Sequence, residues 1–170
     1  MDTNNAAAVR AWLRGCPEIA GSAGLFGADY LGDAPGGYTL DNVPSALKYR
    51  ENILGGMELL PRQEQLYVLA ARMDYGADVA GNLDNLGVFQ RIFEWIVRKN
   101  DARELPEWDG GEVTAVAPAL TACPVAVGSS AARYQMQLRV VYKTGDRGTG
   151  IRQQATGNSR LVGESDSLAF

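Results

Sequence analysis

Residues 134–143 read YQMQLRVVYK, and apolar side chains occupy every second position of this segment. The apolar set consists of Tyr134, Met136, Leu138, Val140 and Tyr142, and the alternate set contains Gln135, Gln137, Arg139 and Lys143. A period of two is the pattern of a strand with one buried face, because successive side chains of a strand point to opposite sides. The segment therefore predicts a β-strand, and it is the clearest strand of the chain.

A long amphipathic segment, DVAGNLDNLGVFQRIFEWIVRK, precedes this strand at residues 78–99. Its apolar residues recur at helical spacing and predict one buried helical face: Val79, Leu83, Leu86, Phe89, Phe93, Ile96 and Val97. Asp78 can cap the first turn, and Arg98 with Lys99 suits the negative end of the helix dipole. Gly81 and Gly87 weaken a helix by roughly 1 kcal/mol each, so we expect them to allow close approach to a sheet.

Shorter segments predict the remaining elements. Residues 4–14 predict a helix with an asparagine cap, and residues 25–32, 38–44, 46–54, 65–73 and 112–120 predict strands, with a turn at 33–37 and a loop at 57–64. Segment 46–54 has the alternation of a half-buried strand. Segment 65–73 is apolar on both sides, as a central strand covered on both faces would be, although a helix is also compatible with it. Pro118 confines its strand to an edge or a bulge.

These elements predict a single α+β domain over residues 1–143. Strands cluster instead of alternating with helices, which favours a largely antiparallel, mixed sheet packed against one long helix and an N-terminal helix. The remaining residues, 144–170, contain five glycines and mixed charges without apolar periodicity. Such a segment buries too little apolar surface to order alone, so we expect an extended C-terminal arm.

Composition excludes several classes of function. The 170-residue chain has a net charge of −4 and no concentrated basic stretch, so a nucleic-acid footprint is absent from the sequence. No apolar run approaches the roughly 20 residues that span a bilayer, and the N-terminus lacks the features of a secretory signal. We therefore expect a protein that is made and used in a cytosol. The distant Cys16 and Cys123 predict two small buried side chains, not a disulfide framework.

The search for chemistry predicts no catalytic, cofactor-binding or metal-binding residues. The chain has no histidine, which removes the commonest general base and metal ligand. Phosphate-binding glycine motifs are absent, since GDRGTG at 145–150 is not followed by a helix pattern, and VGSSA at 127–131 predicts a turn between strands. A small enzyme that uses carboxylates and a ligand-binding domain without assembly remain as alternatives.

This reasoning favours a structural role or a role in protein–protein interaction over a catalytic role. Trp95 is expected in the core, whereas Trp108, beside polar turn residues, is the best candidate for an exposed aromatic anchor at an interface, with local packing as its alternative. In the C-terminal arm, the apolar side chains that could enter pockets of a neighbouring chain are Ile151, Leu161, Val162, Leu168 and Phe170.

Five phrases of the sequence carry a resemblance to a known family. They are VRAWLRGCP, FGADYLG, VPSALKYRENILGG, YGAD and FEWIVRKNDARELPEWDGG. Together, over roughly residues 9–143, they resemble neck-region proteins of long-tailed bacteriophages, a group called minor capsid proteins, and more broadly the lambda-type tail-terminator (tail-completion) proteins. The resemblance rests on segment order, and no short motif fixes individual contact residues.

The resemblance implies a structural virion protein without catalysis or cofactor. Lambda-type terminators form a hexameric ring that caps the finished tail tube, stops its growth and presents a surface to the head-tail connector. The implied partners are copies of the chain, the major tail tube protein and the connector protein, with DNA only passing through the channel and no membrane. The implied location is the virion neck, after assembly in the host cytoplasm.

Two choices stay open within this class, because another neck or head-completion connector protein and a tail tube subunit would share the general pattern. A ring requires one patch of each subunit to meet a different patch of the next. The arm is one candidate patch, and we expect truncation after Lys143 to leave a folded monomer. The loop at 55–64 and the turn at 33–37 are candidates for contacts with the tube.

Overall fold

The alternating segment at 134–143 forms the middle of β7 (Ala131–Thr144), which lies between β5 (Arg62–Asp74) and β6 (Gly111–Val127). The computed structural model describes residues 4–22, 24–108 and 110–145. Two further strands, β1 (Phe26–Ala28) and β2 (Tyr38–Val43), complete a five-stranded sheet of order β1-β2-β5-β7-β6. Its strand pairs are antiparallel except for β1 with β2. The predicted α+β class with a mixed, largely antiparallel sheet is confirmed.

Helices pack on one face of this sheet. They are α1 (Asn5–Leu13), α2 (Pro17–Ala20) and α3 (Val79–Asp101). The side chain of Asn4 accepts a hydrogen bond from Ala7 N at 2.7 Å, and Asp78 caps α3 through Ala80 N and Gly81 N. Trp12 of α1 contacts Trp95 of α3 with ring centroids 4.7 Å apart. The predicted N-terminal helix and long helix are therefore confirmed, including both caps.

The C-terminus of α3 closes with two hydrogen bonds around Arg103. Glu104 N donates to Lys99 O at 2.9 Å and Arg103 N donates to Asn100 O at 3.1 Å, which is the Schellman pattern of a helix end. This pattern requires the left-handed conformation at Arg103, where φ is 59°. Glycine usually occupies such a position because a Cβ is strained there, so Arg103 is held at a cost in backbone energy.

The buried face of α3 differs from the predicted one. The residues buried against the sheet are Phe89, Ile92, Trp95 and Ile96, whereas Val79, Leu83, Leu86, Phe93 and Val97 are exposed. The helix carries two adjacent apolar rows, and the sheet covers the row that contains Ile92. Gly81 and Gly87 do not approach the sheet, since a Cβ at either would meet side chains of α3 or its cap; that prediction is wrong.

The core lies between the helices and one face of the sheet. Its largest fully buried side chains include Tyr67, Leu69, Tyr134, Met136 and Leu138 from the two central strands. The opposite face of β5 is only partly covered at Leu66 and Val68, because the neighbouring strands present polar side chains there. Segment 65–73 is thus a central strand, as predicted, and its second face is covered at the buried Ala70 but only in part at Leu66 and Val68.

Residues 47–60 form a hairpin instead of the predicted half-buried strand and loop, and residues 62–64 belong to β5. Two short strands, β3 (Tyr49–Glu51) and β4 (Met57–Leu59), pair antiparallel with each other and with no other described strand. All six strand residues are exposed. Neither face of this hairpin packs on the core. The alternation of apolar and polar residues at 46–54 therefore belongs to a protruding hairpin.

Strand β6 forms one edge of the sheet, as Pro118 predicts, and extends seven residues beyond the predicted end at 120. Its register with β7 shifts at several points, including between Pro118 and Leu120. On the free side of β6, the amide of Asn100 takes the place of a neighbouring strand. Asn100 Oδ1 accepts a hydrogen bond from Val116 N at 2.8 Å, and Asn100 Nδ2 donates to Val116 O and to Ile96 O. The edge is thereby closed to further strand pairing at this point.

Candidate assembly interface

The β3–β4 hairpin, defined as residues 47–60, is held in shape by polar contacts. Asn52 organises its tip, where Oδ1 accepts from Leu54 N at 3.0 Å and from Gly56 N at 2.9 Å. Across the two strands, Arg50 and Glu58 form an ion pair at 3.0 Å. Hydrogen bonds from Asn52 and then from Arg50 lower the pKa of Glu58. These contacts define the backbone of the hairpin without any packing against the core.

Gln63 joins the base of the hairpin to the sheet. Its side chain is fully buried, its Oε1 accepts from Lys48 N at 2.9 Å, and its Nε2 donates to Lys48 O at 2.8 Å and to Leu60 O at 2.7 Å. Lys48 Nζ also pairs with Glu64 at 2.8 Å, and this hydrogen bond lowers the pKa of Glu64. Both legs of the hairpin are thus fixed relative to β5.

The apolar side chains of the hairpin have no partner surface in the described chain. Ile53 is 102% and Leu54 is 89% exposed at the tip, and Leu47, Tyr49, Met57 and Leu59 are exposed along the legs. An isolated two-stranded hairpin is marginally stable in water. A contiguous exposed apolar surface of this kind usually marks a contact site for another molecule, so the hairpin is the first candidate interface.

A second apolar surface runs along α3. Val79 and Leu83 are 70% and 61% exposed, and Leu86, Phe93 and Val97 follow on the same row of the helix. Between this row and β6 lies a cavity of about 440 Å³, the α3 groove, which is lined mainly by Leu86, Phe89, Gln90, Phe93, Ala122 and Met136. The groove is concave and mostly apolar, with Glu94 at its rim.

Trp108 is buried, and its prediction as an exposed anchor is wrong. It is 8% exposed and stacks on Tyr142 of β7 with ring centroids 4.7 Å apart. The alternative, packing within the domain, is the correct one, because Tyr142 of β7 covers the indole. Trp95, at 6% exposure, lies in the core as predicted.

The predicted arm contacts lie outside the described residues: Ile151, Leu161, Val162, Leu168 and Phe170. The last described residue is Gly145, whose N donates to Gly110 O at 3.0 Å. Nearby, Glu107, Trp108, Glu112 and Lys143 line a cavity of about 520 Å³. The turn at 33–37, the other predicted contact segment, is exposed at residues 33–35.

The described residues bring few chemically reactive groups together. Within 4–22, 24–108 and 110–145, no group of three or more cysteine, aspartate or glutamate side chains is placed to hold a metal ion. Cys16 is buried, and burial raises the pKa of its thiol. Cys123 is exposed on β6, so the prediction that both cysteines are buried is wrong for this one. None of the described helices is long and apolar enough to cross a membrane.

The face of the sheet opposite the helices carries paired charges. Arg133 forms an ion pair with Asp41, and Glu64 lies 3.8 Å from Arg139 while it also binds Lys48. Thr39 donates to Asp41 at 2.7 Å. Asp41 and Glu64 thus pair with two arginines of β7, and Arg72 of β5 lies opposite Arg133 in the register of the two strands.

Comparison with models of known protein families and with curated protein sequences finds no match.

Proposed function

We propose that this protein is a structural subunit of a long-tailed bacteriophage virion, the tail terminator that forms a ring, caps the tail tube and joins it to the head connector. The observation that carries the proposal is the exposed apolar surface of the β3–β4 hairpin, whose tip side chains, Ile53 and Leu54, are 102% and 89% exposed. Preorganised apolar protrusions bind other proteins, because little ordering entropy is lost on contact.

Two further observations support this proposal. The chain has two different unpartnered apolar surfaces, the hairpin and the α3 groove, and a ring needs two different patches on each subunit. The phrases of sequence that resemble the terminator family span most of the domain. The role is proposed to require no catalytic site and no cofactor.

Passage of DNA through the ring suits the charges of the domain. The net charge is −4, and Arg133 and Arg139 on the open sheet face lie beside Asp41 and Glu64. A chain with a net negative charge repels a phosphate backbone at long range, so we expect a duplex to pass it without tight binding. DNA is therefore proposed as a passing molecule and not as a bound ligand.

The hairpin also favours a second candidate function, that of a tail tube subunit. Tube subunits carry long hairpins and polymerise without a fixed end, and residues 47–60 form a protruding hairpin where the sequence predicts a loop. A connector or head-completion role in the same neck would use the same kind of surface, but no described residue distinguishes it.

Addition of the purified protein to assembling tail tubes separates these functions. A terminator stops growth and shortens the tubes as its concentration rises, whereas a tube subunit lengthens them. Electron microscopy of tube lengths measures both results, and light scattering gives the mass of the free protein. A protein that stays monomeric, binds no virion substructure and converts a small compound would refute the proposal.

A further inference from the structure

We propose that the β3–β4 hairpin of one copy inserts into the α3 groove of the next copy, with Ile53 and Leu54 against Leu86 and Phe93. This inference rests on the proposed function, because it names the surfaces through which the subunits of the ring would recognise each other. The partner is thus a second copy of this chain, bound head to tail.

The two surfaces match in shape and in size. The hairpin is convex and ends in two aliphatic side chains, and the groove is a concave space of about 440 Å³ that can hold them. From the exposure of its six apolar residues, complete burial of the hairpin would cover on the order of 800 Å² of one partner, the area of a standard stable interface. By the same reckoning the exposed apolar row of α3 offers about half of that area, enough for the tip and one face of the hairpin.

The hairpin does not fill the groove of its own chain. It extends from the ends of β2 and β5, whereas the groove lies between α3 and the edge strand β6, beyond β7 in the sheet. The complete exposure of Ile53 shows that the tip touches nothing in the described chain. The two patches are therefore distinct, and repeated pairing between them is heterologous, the type that gives a ring where the rotation closes and a filament where it does not.

Insertion would leave few charges without partners. Arg50 is paired with Glu58 inside the hairpin, and Lys48 is paired with Glu64 at its base. Beside the groove, Arg91 of α3 is paired with Glu18 at 2.6 Å. Glu94, an exposed residue that also lines the groove, accepts a hydrogen bond from Gln90 Nε2 at 3.2 Å. Insertion therefore has to leave Glu94 in contact with water, whereas the other charges are satisfied within each copy and add no unpaired buried charge.

Two single substitutions in the full-length chain test the pairing. Leu54→Asp disables the hairpin, and Leu86→Asp disables the groove. Phe93→Asp, at the other proposed contact of the groove, replaces Leu86→Asp if that variant fails to fold. Leu25→Asp is the matched control, since Leu25 is as exposed as Leu54, at 89%, but lies outside both surfaces. Circular dichroism and thermal unfolding establish that each variant is folded.

Light scattering and sedimentation then give the decisive result. Each disabled variant alone should self-associate about 30-fold more weakly or worse, the effect of losing an interface anchor, and the control should behave as the unchanged chain. An equimolar mixture of Leu54→Asp with Leu86→Asp should form heterodimers and nothing larger, because one intact hairpin then meets one intact groove.

Three results would overturn the inference: a mixture that stays monomeric, disabled variants that assemble normally, or an unchanged chain that never self-associates. Tube-capping assays distinguish this failure from failure of the proposed function. Variants that assemble and cap tubes normally would refute the hairpin–groove contact alone. An unchanged chain that assembles through these surfaces but neither caps nor extends tubes would refute the virion role alone.

Discussion

Replacement of Asn100 by alanine should destabilise the domain far more than the loss of one helical side chain. The amide of Asn100 satisfies both backbone groups of Val116, a fully buried residue on the free edge of β6. In the Asn100→Ala variant a donor and an acceptor would lose their partners, at about 1–3 kcal/mol each. Partial access of water to the emptied site reduces the total, so we expect a loss of about 3 kcal/mol in the free energy of unfolding.

Urea denaturation at concentrations where the chain is monomeric measures this loss, which should also lower the melting temperature by roughly 6–12 °C. Asn85→Ala is the control, because Asn85 Nδ2 makes one exposed hydrogen bond, to Asp74 O at 2.7 Å, and should cost less than about 1 kcal/mol. Amide exchange at Val116 should accelerate only in Asn100→Ala. Equal losses in the two variants would show that Asn100 does not close the edge.

Three further changes test other features of the domain. Arg103→Gly should raise the free energy of unfolding by about 0.5–1 kcal/mol, because it relieves the left-handed strain at φ 59°; a loss of stability in urea would refute this. Trp108→Ala should cost about 3–5 kcal/mol through loss of the stack on Tyr142 while the self-association of folded protein stays unchanged, as scattering below the melting temperature can check. Burial raises the pKa of Tyr38 and of Tyr67 to about 12 from 10. The stability that each neutral, buried tyrosine contributes is therefore complete below pH 10. It is lost as the pH rises towards 12, by roughly 2–3 kcal/mol per tyrosine. The double Tyr38→Phe, Tyr67→Phe variant should therefore show a smaller decline in urea stability between pH 9 and pH 11.5, and an unaltered decline would contradict the assignment.

The central part of the fold was predictable because local patterns and tertiary packing agree there. The period of two at 134–143 required one buried face, and the sheet supplies it. Asp78 and Pro118 are local signals for a helix start and for an edge strand, and both are obeyed. The structural effect of such residues depends only on the few residues next to them in the sequence.

The interface surfaces were less predictable, because they depend on what the fold leaves uncovered. The periodicity of α3 contains two apolar rows, and nothing local to the helix decides that the sheet takes the row of Ile92. Trp108 was assigned to the surface because polar turn residues lie beside it, whereas the residue that covers it, Tyr142, is distant in sequence. The hairpin had a readable signal, Gly55-Gly56 after a short alternating run, but Pro61 and the polar residues beyond it favoured a loop.

The isolation of the hairpin from the core has a consequence for how this protein can evolve. Substitutions at residues 53, 54 or 57 leave every buried side chain of the domain in place, so a lineage can sample them without losing a folded product. In the proposed pairing, complementary changes at residues 86 or 93 can follow on a separate element. Two related chains in one host could therefore diverge until their subunits no longer assemble with each other, while the rest of the domain keeps the same fold.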